Sequence, residues 1–270
     1  MQPQRKEFNQ FRQRRVSTRR ESRQQLLIRN NLEKRFYRTL NSLFRKFLNI
    51  QLYRYSEFGI FEEAIAEQDL NEEFIPLIFS QYRRIFKVMY KGNEDKYMTE
   101  RKEDAFVFGR NVDFEEVVTQ YFNGRQLILT GITSRMANRI SKLIEQGRAD
   151  NLTLPQIAKL VSDKFLPISR SRAALIARTE THNAASFANN SYHVTVADDL
   201  GISMKKKWVA TSDGRTRPAH AAANGQIVDM NEDFIVGGVT MDYAGDPKGG
   251  AANVVNCRCV IIYADERDME

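Results

Sequence analysis

Side chains able to bind a metal or move a proton crowd into the last hundred positions. His182, His193, His220, Cys257, Cys259 and the single Trp208 all follow residue 180. Most belong to three short motifs: Arg178-Thr179-Glu180-Thr181-His182, then "WVATSDGRTRPAH" from Trp208 through Asp213 and Arg215 to His220, then "NCRC" with Cys257 and Cys259. One His and two Cys are ligands of the kind zinc accepts, with a fourth to come from His182, Asp213 or water. Cys257 and Cys259, as alternating strand positions, would put both sulfurs on one face. Buried free cysteines serve equally as small core residues. A hydrolytic or transferase centre on Glu180, Asp213 and His220 would need a base beside a nucleophile or bound water. No P-loop, G-x-S-x-G, H-E-x-x-H or paired D-x-D accompanies those three residues.

Each motif also has a structural reading. Arg178 and His182 share a helix face, while Glu180 is turned roughly 200° from Arg178. An Arg and a Glu so placed would tie the helix to two different loops. Asp213-Gly214 is a turn signal, and Asp213 can bond its own backbone. Pro218 suits the first turn of a short helix with Thr216 as N-cap, which puts His220 on that helix.

The elements that must position these residues are legible in the apolar spacing. Leu32, Phe36, Leu40, Leu43, Phe44, Phe47 and Leu48 recur at helical intervals between Leu26 and Leu52. Further helices are predicted over 72–90, 114–122 and 127–145, the last ending near Gly147, with "KGNEDKYMTERKED" (91–104) as a charged loop. Thr153-Leu-Pro-Gln156 reads as a capping box opening a short helix to Phe165. Ser169 then caps a longer helix ended by Gly201, whose Ala173, Ala174, Ala177, Ala184, Ala185 and Ala188 predict a close neighbour. After Gly201 the chain turns to strands, "MKKKWVAT" and "CVIIYADE", around Gly-rich turns and a short strand near 226–228. The fold class is therefore α+β: a mostly helical N-terminal portion followed by a small C-terminal module with a short β-sheet. The domain reading is 1–30 a basic flexible arm, 31–165 helical, and 166–270 the α+β module.

Charge is unevenly placed. Residues 1–30 hold nine Lys/Arg against Glu7 and Glu21, a net +7 that equals the charge of the whole chain. Arg5, Lys6, Arg12, Arg14, Arg15, Arg19, Arg20 and Arg23 are the residues such an arm would offer to DNA or another acidic partner. No apolar run reaches the ~20 residues of a membrane span, and no secretory signal is visible. Two cysteines one residue apart suit a reducing compartment better than a disulfide. These features predict a protein made in the cytosol, with no membrane partner.

Taken together, "LIARTETHNAASFANN", "KKKWVATSDGRTRPAHAAANGQIV", "DMNEDFIVGG" and "NCRC" before a closing strand resemble the phage head morphogenesis family, the Mu F-like minor head proteins of tailed bacteriophages. The resemblance covers about residues 125–265. It implies a structural virion component without enzymatic activity, made in the host cytoplasm and placed in the phage head or at the portal vertex. Its implied partners are the portal, capsid and scaffold proteins and double-stranded DNA, in assembly, packaging and ejection. The motif positions carried over are Arg178, Thr179, Glu180, Trp208, Asp213, Arg215, His220, Cys257 and Cys259. Many relatives close with H-P-N-C-R-C, and some carry a C-x-x-C after the Asp-x-Arg. Here "VVNCRC" lacks that His-Pro, and His220 stands in place of the second upstream Cys, so a structural zinc would have fewer soft ligands. A metal-dependent nuclease or transferase on Glu180, Asp213 and His220 is the alternative function.

Overall fold

In the computed structural model, residues 17–99 and 113–265 are described. Five main helices come first: α1 (Thr18–Phe58), α2 (Glu63–Thr99), α3 (Phe114–Asn123), α4 (Gln126–Ala149) and α5 (Leu154–Leu200). They are followed by β1 (Met204–Val209), α6 (Pro218–Ala222), β2 (Ile227–Asp229), β3 (Phe234–Val236), β4 (Val239–Met241), a 3₁₀ turn (Pro247–Gly249), α7 (Gly250–Val254) and β5 (Val260–Asp265). The fold is α+β, as the patterning predicts. The residues group into two compact units that are not consecutive stretches of chain. One comprises Asn30–Lys87 and Asp113–Ala184; the other takes in the described parts of Met1–Arg29, Val88–Val112 and Ala185–Glu270.

The first unit is helical throughout. Phe36, Leu40, Phe44 and Leu48 of α1 are buried, as are Phe74, Ile78 and Tyr82 of α2 and Met136, Ile140 and Ile144 of α4. The spacing of three and four that predicts these helices is the spacing of their buried faces. Aromatic rings fill the interior, with Phe44 on Phe74 at 6.2 Å, Phe79 on Phe122 at 5.0 Å and Tyr82 on Tyr121 at 5.0 Å. Gly147 lies inside α4, where an added Cβ would come within 2.7 Å of Ile157. Only glycine permits that approach. One half of the Thr153 capping box forms, the Thr153 backbone N–H donating to Gln156 Oε1 at 2.8 Å, while its hydroxyl donates to the same oxygen at 2.9 Å.

Three sequence expectations are corrected. First, the break near Phe165 is absent: α5 runs on through Pro167. Phe165 and Ile176 are buried on either side of the proline, and that packing outweighs the roughly 3 kcal/mol an interior proline costs. Ser169 donates back to the Leu166 carbonyl at 3.0 Å rather than capping a helix. Second, α2 continues through residues 91–99 of the expected loop. Asn93 Nδ2 donates to Asn189 Oδ1 at 2.8 Å, and Tyr90 just before it donates to Ser191 Oγ at 3.2 Å, so both residues have fixed partners. Third, the arm is helical from Thr18 onward. Gln25 and Arg29 are buried there, donating to the Ile261 carbonyl at 3.1 Å and to Ser186 Oγ at 3.1 Å. Burial pulls the Arg29 guanidinium down to about 10. It is therefore a charged core residue, not a surface charge. Arg5, Lys6, Arg12, Arg14 and Arg15 lie outside the described residues, while Arg19, Arg20 and Arg23 are exposed on α1.

The second unit holds the sheet, in order β2-β1-β5 and antiparallel throughout. Met204, Lys206 and Trp208 alternate onto its buried face. β3 and β4 form a separate hairpin closed by Gly237 and Gly238 at φ +61° and +80°. Two central residues with positive φ are what a tight hairpin of this hand requires, and the Gly-Gly signal lay open in "FIVGGVTM". Among the described residues no helix is long and apolar enough to cross a membrane.

Candidate functional site

The loop between β1 and α6 is built around Asp213. Its Oδ1 accepts the Arg215 backbone N–H at 3.0 Å, the Asx turn that Asp-Gly foretells. Arg258 of "NCRC" grips the same carboxylate with both terminal nitrogens, Nη2 to Oδ1 at 2.8 Å and Nη1 to Oδ2. The Arg258 hydrogen bonds hold the Asp213 carboxyl well below the usual carboxylate range, and the backbone N–H of Arg215 adds to the effect. Thr211 Oγ1 donates to the Arg258 carbonyl at 2.8 Å, and Arg217 donates to the Val255 carbonyl. The Arg215 side chain points largely to solvent, with Nη2 3.5 Å from Asp213 Oδ2. Thr216 donates its hydroxyl to the Thr211 carbonyl, and because the helix begins at Pro218 the N-cap of α6 is Arg217 and not Thr216.

His220 is carried inward on α6, directly after Pro218 at the first helical position. Its Nδ1 lies 3.3 Å from Cys259 Sγ and 3.6 Å from Cys257 Sγ, and its Nε2 lies 3.3 Å from Asn253 Oδ1. All three ligand-type residues are buried. The two cysteines are not alternating strand positions, because β5 begins only at Val260. Asn256 takes a positive φ of 58° immediately before them, a conformation Asn tolerates better than most residues. Trp208 stands edge-on to His220 at 5.7 Å and to Phe234 at 5.4 Å, covering the cluster from the sheet side. The hydrogen bond that the Cys259 thiol donates to Cys257, and then burial, push that thiol far up.

The first motif behaves differently. Glu180 is buried in the helical unit, where Arg125 Nη2 donates to Oε1 at 2.5 Å, Arg125 Nε to Oε2 at 3.3 Å, and the Tyr82 hydroxyl to Oε2 at 2.6 Å. Arg178 pairs with Glu33 of α1 at 3.2 Å. Glu180 thus ties α5 to the turn between α3 and α4, as a loop partner was expected, and to Tyr82 of α2. Arg178 ties it to another helix, where a loop was expected. Thr179 and His182 are buried beside them in sequence. Glu180 belongs to the helical unit, whereas Asp213 and His220 belong to the sheet-bearing unit. Of the three residues of the alternative centre, two carboxylates are engaged by arginine within their own units.

The family model for Phage Mu protein F like protein matches residues 136–262. Minor head protein GP7 of Bacillus phage SPP1 is 28% identical over 243 residues, spanning 83% of this chain and 75% of that protein. Over the matched region the chain is similar to the Mu F-like phage head proteins. A second relative, the NAD(+)–arginine ADP-ribosyltransferase EFV of Enterococcus faecalis, is 33% identical over 129 residues. That match spans 47% of this chain and 26% of the transferase, so the activity in its name stays with that protein. No solved structure matches.

The Mu F-like stretch contains every motif position named from the sequence, from Arg178 to Cys259. It also contains structural residues that sequence reasoning missed. Lys206 is fully buried and donates to both the backbone carbonyl of Asp242, at 3.0 Å, and its carboxylate. Its ammonium lies 5.5 Å from the centre of the Phe234 ring. Asn190 Nδ2 donates to Asp242 Oδ2 at 2.7 Å and its Oδ1 accepts from the Tyr263 hydroxyl at 3.0 Å, while His193 stacks on Tyr263 at 4.2 Å. Strand alternation in "MKKKWV" puts Lys206 on the Trp208 face, the one available signal for its burial. The Arg258 and Arg125 roles had none, since their acids lie 45 and 55 residues away.

Proposed function

We propose that this chain is a phage head protein acting structurally at the portal vertex, assisting procapsid assembly and the packaging and ejection of DNA. The observation that carries this reading is the match to a minor head protein across 83% of the chain. A non-enzymatic role is supported by the motif residues themselves. Glu180 and Asp213 are committed to Arg125 and Arg258, and those bonds tie α5 to the turn between α3 and α4 and the β1–α6 loop to the segment entering β5. Synthesis in the host cytoplasm and partnership with portal, capsid and scaffold proteins complete the reading.

Non-specific contact with double-stranded DNA is assigned to Arg5, Lys6, Arg12, Arg14, Arg15, Arg19, Arg20 and Arg23. The net charge of the first thirty residues supports this, since phosphate neutralisation releases counterions without any sequence code. Arg29 is left out of the set because it is buried. Mass analysis of purified phage heads tests the virion role. The expected result is this chain in the particle at substoichiometric amount relative to the major capsid protein. Heads free of it would reject the reading.

A further inference from the structure

His220, Cys257 and Cys259 converge from two separate segments on one buried point. Each is about 2% exposed, and their ligand atoms all lie within 4.8 Å of one another. A tetrahedral zinc, with Zn–N near 2.0–2.1 Å and Zn–S near 2.3 Å, sets its nitrogen and sulfur ligands about 3.6 Å apart. The measured separations from His220 Nδ1 are 3.3 Å to Cys259 Sγ and 3.6 Å to Cys257 Sγ. A thiol hydrogen bond to the imidazole accounts for one such contact. Two sulfurs gathered on one nitrogen lone pair is the arrangement a shared cation produces.

The surroundings select that lone pair. His220 Nε2 lies 3.3 Å from Asn253 Oδ1. An Nε2–H donating to this amide oxygen leaves Nδ1 unprotonated, facing the two sulfurs. The ring is fixed further by the edge of Trp208 at 5.7 Å. The sulfurs are fixed by the Asn256 turn and by Arg258, whose side chain is anchored on Asp213.

We propose that His220 Nδ1, Cys257 Sγ and Cys259 Sγ hold a zinc ion that joins α6 to the segment entering β5. The ion binds as the dication, and the two thiol protons leave to solvent. No other His, Cys, Asp or Glu among the described residues joins the cluster, so water supplies the fourth ligand. Asn253 is a positioning residue that sets the tautomer. This site is independent of the portal and DNA roles and stands or falls on metal binding alone.

The test uses the full chain, purified from zinc-supplemented culture without chelator. Elemental analysis is expected to find one zinc ion per chain. Exchange of that zinc for cobalt is expected to give thiolate-to-cobalt charge-transfer absorption with the visible bands of a tetrahedral site. Cys257→Ser and Cys259→Ser should each weaken the charge-transfer band. Asn253→Ala, which keeps all three ligands, should bind zinc about 10–100-fold more weakly. Folded wild-type chain that carries no zinc and develops no charge-transfer band with cobalt would overturn the proposal. So would an undiminished cobalt spectrum in the Cys257→Ser/Cys259→Ser double variant. If the cysteine variants fail to fold, the wild-type cobalt spectrum still decides the matter.

Discussion

Glu180→Ala is expected to destabilise the helical unit by about 3–5 kcal/mol, the largest single-residue effect anticipated in this chain. Arg125 and Glu180 are only 4% and 3% exposed, so the truncation strands a guanidinium in the interior. Burial alone would lower the Arg125 guanidinium, but the Glu180 carboxylate overrides it and holds the group above its usual value. Tyr82, pushed up first by burial and then by Glu180, stays a neutral donor to the same carboxylate. The loss should persist in high salt, because a buried pair is poorly screened. Replacing both members, as Arg125→Met with Glu180→Leu, should cost much less than Glu180→Ala, since no unpaired charge remains. Urea unfolding followed by far-ultraviolet circular dichroism measures the effect as a shifted midpoint at unchanged slope. A Glu180→Ala midpoint close to wild type would show that the pair does not hold the helices as described.

Neutralising the basic segment is expected to abolish most of the salt dependence of DNA binding. Each phosphate contact contributes about 0.9 to the slope of log affinity against log salt on duplex DNA. Arg19→Gln, Arg20→Gln and Arg23→Gln together should therefore lower the slope by up to about 2.7, and all eight substitutions by up to about 7. With 6–10 contacts, affinity itself falls about 10³–10⁵-fold between 50 and 200 mM salt. The loss should be equal on unrelated duplex sequences, because phosphate contacts carry no base code. Substitution is a cleaner test than deletion of residues 1–30. Deletion would also remove Gln25 and Arg29, whose buried bonds to Ile261 and Ser186 belong to the unit's interior. Gel shifts at several salt concentrations give the slopes, and equal slopes for the eight-fold variant and wild type would refute the assignment.

The helices of the first unit were legible because their buried faces follow one simple period, as Phe36, Leu40, Phe44 and Phe47 show. Their ends were not. Residues 91–99 look like a loop by composition, yet Asn93 finds Asn189 nearly a hundred positions away and the helix persists. Pro167 looks like a terminus, yet buried neighbours on both sides carry the helix through it. At the candidate site, the Asx turn at Asp213 and the position of His220 on a short helix were readable from turn and proline chemistry, but the burial of that histidine was not. The partners were harder to see. Nothing adjacent in sequence marks the acid that Arg258 binds from between the two cysteines, or the one that Lys206 binds from within a run of three lysines. Both are fixed by carboxylates brought near only by the tertiary fold.

The central claim is that this Mu F-like chain works as a structural partner of the portal. Co-expression with the portal protein of the same phage, followed by isolation of the portal ring, tests it most directly. The account predicts that the chain co-elutes with the ring and stays bound through washing in moderate salt. A ring that elutes without it, while the chain runs separately as folded protein, would contradict the account.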